Sequence, residues 1–254
     1  VNRAYGTTGI ITALEMPLAP AWPWIDVIVT FDDFLEAMQV GQDVALADGV
    51  VKKLITPMIW PIPQHFSALR AHCPEEQHVV FCMIAEPSLE SFKTILGRRG
   101  TITYQQPHDD GPGKEPLYEY TWNHTTLQWL KQDRTVTYLQ CLFPHDRLVE
   151  SVVEMWKMFP DEVLPHTEFI RFGGHLTCSA LPIVRYTTAA RLNEIIALHE
   201  KHGVMIANPH VYTLEDGSRH KRADADQLGF KHEIDPRGLL NPGKMRTFTS
   251  RTSS

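Results

Sequence analysis

The sequence has few cysteines, no long apolar run and no excess of positive charge. The four cysteines (Cys73, Cys82, Cys141, Cys178) form neither a CxxC pair nor a dense framework, which excludes a disulfide scaffold. Reduced, buried thiols in a protein of cytoplasmic type are expected instead. No apolar stretch reaches the roughly 18 residues that a membrane-spanning helix needs. With 24 Lys and Arg against 30 Asp and Glu, the net charge of -6 argues against a nucleic-acid partner. The first residues carry no initiator Met, no apolar signal core and no targeting pattern. What is present is ordinary for a folded protein. Hydrophobic residues at 43% and charged ones at 21% exclude a disordered chain. At 254 residues there is room for one large domain or two smaller ones, with a core that needs no staples.

Strand and helix signals alternate along the body. Residues 9–18 read as a strand, closed by the Pro-rich stretch 19–24, which is the candidate domain boundary. Ile25–Phe31 is a β-branched strand, and Asp33 with Glu36 has the spacing of a capping box. His78–Ile84 and Thr101–Tyr104 read as strands around a helix with Leu89, Phe92, Ile95 and Leu96 on one face. The unit recurs as a strand at 135–143, a helix at 145–159, strands near 166–172 and 175–184, and a helix at 188–202. The expected fold is α+β: a ferredoxin-like antiparallel sheet with helices on one face, built from two strand–helix–strand repeats. Residues 106–116 read as an exposed, mobile polar loop, and the apolar-free tail 249–254 should fray.

Several residue types suggest chemistry directly. Tyr118–Thr126 mixes aromatic and hydrogen-bonding side chains, which suits either the wall of a small-molecule pocket or a sheet edge. Trp122, Asn123 and His124 are the substrate-side candidates there. Arg171 could pair a carboxylate through its two-pronged guanidinium, or serve as a surface ion-pair partner. His220, Lys221 and Arg222 read as a solvated helix start with no chemistry.

The two ends of the chain carry the most specific patterns. Asp235-Pro236-Arg237-Gly238-Leu239-Leu240-Asn241-Pro242-Gly243-Lys244 closely resembles the "DPxGLLNPGK" ending of FAD-linked oxidases of the vanillyl-alcohol-oxidase superfamily, most of all the glycolate oxidase/D-lactate dehydrogenase branch. Gly6-Thr7-Thr8-Gly9-Ile10-Ile11-Thr12 resembles the "GTxGIIT" segment that ends the same superfamily's FAD-binding domain. Read locally, each is a tight turn; a glycine-rich turn also lets backbone N–H groups approach a flavin closely.

The resemblance implies a division into residues 1–20 (a last FAD-domain strand), 21–222 (substrate or cap domain) and 223–254 (a return toward the FAD domain). It places Gly6, Thr7, Gly9, Ile10, Ile11, Asn241 and Lys244 against the flavin. No glycine-rich pyrophosphate loop is present, so the chain reads as the C-terminal portion of a longer protein whose N-terminal FAD domain is missing. FAD would then be held tightly only by the full-length protein. Residues 5–18 and 230–246 would expose apolar side chains and promote self-association.

His210, where relatives carry "SGEHG", is implied as the catalytic base, a role suited to an imidazole pKa near 6.5. Asn208-Pro209 replaces the acidic position of that motif. His175 is what remains of "HxGDGNxH" and joins the substrate-side candidates, or is a strand histidine at a sheet end. His175, His210 and Glu168 make a thin set of metal ligands, so no metal is assigned. The implied function is oxidation of a small hydroxylated substrate, such as a 2-hydroxy acid, by hydride transfer to flavin. The alternative is a stand-alone ferredoxin-like binding domain without redox chemistry.

Overall fold

The apolar run of β1 (Trp24–Phe31) is buried along nearly its whole length and leads directly into a capped helix. Asp33 accepts a hydrogen bond from the Leu35 N–H at 3.1 Å and starts α1 (Phe34–Leu46), which buries Phe34, Ala37, Met38, Gly41 and Val44. The computed structural model describes residues 4–207, 211–216 and 225–249. These divide into a unit of residues 21–206 and a unit that joins 1–20 to 207–254.

The larger unit holds two copies of one topology. In the first, β1, α1, β2 (Lys52–Met58), β3 (His78–Ala85), α2 (Leu89–Leu96) and β4 (Thr101–Pro107) form an antiparallel sheet of order β2-β3-β1-β4. A helix, α3 (Asn123–Leu130), and a short strand, β5 (Val136–Tyr138), lead to the second copy. There β6 (Gln140–Leu142), α4 (Leu148–Met158), β8 (Thr167–Phe172), β9 (His175–Ala180), α5 (Ala189–Lys201) and β11 (Met205–Ala207) give the order β11-β6-β9-β8. Both read fourth-first-third-second in their own strand order, the ferredoxin-like arrangement. β5 joins β7 (Val163–Leu164) and β10 (Ile183–Arg185) in a small third sheet.

This is the α+β, ferredoxin-like fold expected, with repeats drawn differently. The strand expected at 135–143 breaks at Leu139 into β5 and β6, and 175–184 breaks into β9 and β10, each half in a different sheet. Leu139 is fully buried, so apolar patterning runs through a break that hydrogen bonding defines. β2 has no clear strand pattern, and Pro57 within it lacks an N–H; it fits because β2 pairs in the sheet with β3 alone.

Strand alternation assigns the sheet faces. Phe34 of α1 meets His78 at 5.5 Å and Trp156 of α4 at 5.4 Å, both edge to face, so the helices of the two copies pack side by side. On the opposite face the register aligns Asp26 with Met83 and Leu54, and Ile28 with Phe81 and Thr56. Phe66 packs on Phe81 there, and Tyr120 packs on Phe66 in turn. The two copies meet through β2 and β8, at a bridge between Met58 and His166. All four cysteines are free and buried, and burial pushes the Cys73 thiol up to about 12. Among the described residues no helix is long and apolar enough to cross a membrane.

In the smaller unit, residues 9–20 form no strand. Their apolar content is as expected, but a strand exists only with a neighbour to complete its hydrogen bonds, and none of the described strands borders this segment. Ile10, Ile11, Leu14, Met16, Leu18 and Leu239 are exposed, while Leu240 is partly covered. α6 (Ala225–Ile234) precedes the C-terminal motif.

Candidate functional site

The two end motifs meet within the smaller unit. Tyr5 and Gly6 turn the chain at φ 50° and 70°, and the Thr7 N–H and hydroxyl both donate to the Ala4 carbonyl, at 2.9 and 2.6 Å. Gly6 and Gly9 hold positive φ, which a side chain would strain, and leave the main chain bare at both positions. The Asn241 side-chain amide donates to the Tyr5 carbonyl. Residues 236 apart in sequence therefore share one hydrogen bond.

The return segment is built around Asp235. It accepts from the Leu239 and Leu240 N–H groups at 2.9 and 2.7 Å, and Lys231 donates to it and to the Leu240 carbonyl. The Lys231 ammonium, followed by these two amides, holds the Asp235 carboxyl down at about 2. Lys244 lies with its ammonium 3.7 Å from the centre of the Tyr212 ring, a cation–π contact, and its carbonyl accepts from Leu214 N–H at 2.8 Å. Thr7 is buried, whereas Ile10 and Ile11 project outward. His210, Asn208 and Pro209 lie outside the described residues, as do His220, Lys221 and Arg222.

The larger unit carries two polar groups on the sheet face away from α1 and α4. The first is fully buried: Glu168 of β8 accepts from the Thr56 hydroxyl, from the Trp122 N–H at 2.8 Å and from His166 Nε2 at 2.9 Å. The Thr125 hydroxyl donates to the Tyr120 carbonyl at 2.7 Å and lies 3.2 Å from His166 Nε2. That proton being committed, His166 Nε2 carries the hydrogen, shared between Glu168 and Thr125. Glu168 thus serves as an anchor for the start of α3, where Trp122 sits at φ 53°, an uncommon conformation for a bulky residue.

The second group is an aspartate in an apolar strand. Asp26 is buried on β1, and both its oxygens lie 3.0–3.1 Å from His108 Nδ1. Burial, the largest influence, pushes the Asp26 carboxyl up, while His108 pulls it down. A polar cavity of about 240 Å³ adjoins Asp26, Tyr104, Lys114 and Glu115. His108 belongs to the segment expected to be exposed and mobile; its side chain is only 9% exposed, so this part of the loop is tied to the sheet. A lone Asp in the run Trp-Ile-Asp-Val-Ile-Val was a readable signal, because buried charges occur where they are paired.

The substrate-side candidates are not brought together. Trp122, Asn123 and His124 start α3, with His124 paired to Glu119 at 2.7 Å on the surface. Arg171 alternates with Thr167 and Phe169, which touch Met38 and Gly41 of α1, so it leaves the sheet on the opposite face from Glu168. It pairs with Asp48 at 2.8 Å. His175 lies at the β8–β9 hairpin, whose Gly173-Gly174 turn has positive φ at both residues, and stacks on His145 at 4.1 Å. Among the described residues, no three His, Cys, Asp or Glu side chains are placed to hold a metal ion.

No protein-family profile matches the chain, and no curated protein is similar to it. Among solved structures it is similar to alkyldihydroxyacetonephosphate synthase in two crystal forms. One gives a TM-score of 0.53 at 12% identity, covering 88% of this chain and 45% of the synthase; the other gives 0.52 at 13%, covering 89% and 46%. The chain therefore spans less than half the length of the synthase. At such identity the likeness is one of fold.

Proposed function

We propose that this chain is the substrate (cap) domain, with a flavin-facing end segment, of an FAD-dependent oxidoreductase. One observation carries the reading: the two motifs that resemble FAD-linked oxidases, at opposite ends of the chain, are joined by the Asn241–Tyr5 hydrogen bond. The fold shared with alkyldihydroxyacetonephosphate synthase, a protein of the same FAD-linked superfamily, supports it.

The residues present fit one edge of a flavin. Gly6 and Gly9 offer bare main chain, Asn241 an amide, and Lys244 a cation oriented by Tyr212. Bound FAD would supply the hydride acceptor. The chain's own part is to bind and orient a small hydroxylated substrate, such as a 2-hydroxy acid, and to take its hydroxyl proton on His210. Lys244 would stabilise negative charge nearby. Trp122, Asn123, His124, Arg171 and His175 remain substrate-side proposals. The division at 20 and 222, a cytoplasmic location and self-association through the exposed end segments also remain proposals.

The test is spectroscopic. The full-length protein should copurify with a flavin absorbance that a 2-hydroxy acid bleaches under anaerobic conditions, while residues 1–254 alone should not retain FAD through gel filtration. His210→Asn in the full-length protein should slow flavin reduction by roughly 10²–10⁴-fold with FAD content unchanged. A full-length protein that neither binds FAD nor responds to it would instead favour the stand-alone binding domain.

A further inference from the structure

Arg171 has no partner at Trp122–His124, but it lines a cavity at the seam between the two ferredoxin-like copies. In their sheets β2 is paired with β3 alone and β8 with β9 alone, so one free edge of each faces the other. The backbone contacts that join these edges lie at one end: the Met58–His166 bridge and the Ile59 N–H donating to the Pro165 carbonyl at 3.1 Å. Among the described residues, no backbone hydrogen bond joins Lys53–Ile55 to Phe169–Arg171. A cavity of about 210 Å³ opens there.

The lining has two characters. Ile55 is buried, and Phe169, Ile170 and Leu176 are half-buried, so one side is apolar. Lys52 and Arg171 supply two cations to the same space. Bringing like charges together is unfavourable unless something offsets it. Burial holds the Lys52 ammonium below its usual value; Asp48 opposes that and Arg171 adds to it. Asp48 is 89% exposed, so water screens its compensation. It takes one hydrogen bond from Arg171 Nη2, at 2.8 Å. That is the one side-chain hydrogen bond of Arg171 among the described residues, and the rest of its N–H fork remains for another acceptor. The Lys52 ammonium also donates to the Ala47 carbonyl at the end of α1, at 2.6 Å.

We infer that the seam cavity binds a short aliphatic carboxylate. The carboxylate lies between Arg171 and Lys52, and the alkyl chain lies against Ile55, Phe169 and Leu176. The apolar side distinguishes this ligand from a bare inorganic anion, and the volume limits it to a few carbons. The site shares Arg171 with the substrate-side residues of the flavin reading but does not rest on that reading: binding needs no flavin or electron transfer, and all its residues lie in the 21–206 unit.

The experiment uses the chain 1–254, titrated calorimetrically with butanoate, butanamide and inorganic phosphate, beside thermal melts. Butanoate should bind and raise the melting temperature, and butanamide, of the same shape without charge, should bind at least about tenfold more weakly. Arg171→Gln and Lys52→Gln should each weaken butanoate about tenfold or more, with the melt of the ligand-free protein unchanged for Arg171→Gln, an exposed position. Leu176→Trp should block butanoate by filling the apolar side. Absence of butanoate binding, equal binding of butanamide, tighter binding of phosphate, or full binding by Arg171→Gln would each overturn the inference.

Discussion

The ring of Phe169 in the second copy abuts Gly41 of α1 in the first, so closely that a Cβ at position 41 would stand 2.6 Å from its Cε2. The same Cβ would come to 3.0 Å from the Pro57 ring. The glycine is at helical φ, so its role is to make space where β2 and β8 abut. Gly41→Ala should therefore destabilise the 21–206 unit despite alanine's better helix propensity, by about 1–3 kcal/mol as overpacking usually does. A urea midpoint equal to or above that of the parent would refute this.

Glu168 satisfies three donors in a place that water does not reach. Glu168→Ala would leave the Thr56 hydroxyl and the Trp122 N–H without their partner, at about 1–3 kcal/mol for each group left unpaired, and His166 Nε2 with Thr125 alone. The expected outcome is a loss of several kcal/mol and a shift in tryptophan fluorescence as the start of α3 loosens. Glu168→Gln retains one acceptor oxygen and should fall in between. Equal melts for Glu168→Ala and the parent would show that the network contributes nothing.

Stability should fall in mild acid. His65, His78 and His199 are each held below 6.5, in every case chiefly by burial. A depressed histidine pKa means the unfolded chain binds more protons below 6.5, so stability is full above that value and is lost as pH drops through it. Urea midpoints at pH 7.5 and 5.5 should show the loss. His199→Gln should reduce the difference, since His199 is among the most buried of the three. Identical midpoints at both pH values would contradict the argument.

The bond between the ends makes a separate prediction. Asn241→Ala removes one hydrogen bond, worth about 0.5–1.5 kcal/mol, and its methyl cannot replace the amide at positive φ. In the full-length protein it should weaken FAD retention several-fold while leaving the melt of the 21–206 unit unchanged. If FAD is retained as in the parent, the contact has no part in holding the flavin.

The sequence alone determined the fold class, because apolar periodicity of two and 3.6 residues reports directly which face of a strand or helix is buried. β1, β3, α1, α4 and α5 were legible for that reason, and the Asp33 cap with them. The end motifs were legible because a turn that requires glycine at positive φ leaves its residues visible in the chain. Tertiary structure decided what depends on partners. Residues 9–18 have strand-like composition but no neighbouring strand, and 135–143 and 175–184 divide between sheets at points apolar patterning does not mark. The pairing of Asp26 with His108, and of Glu168 with Trp122 and Thr56, joins residues far apart in sequence. Register across β1, β2, β3 and β8 puts their side chains on one face, and register is a property of pairing, which no single strand contains.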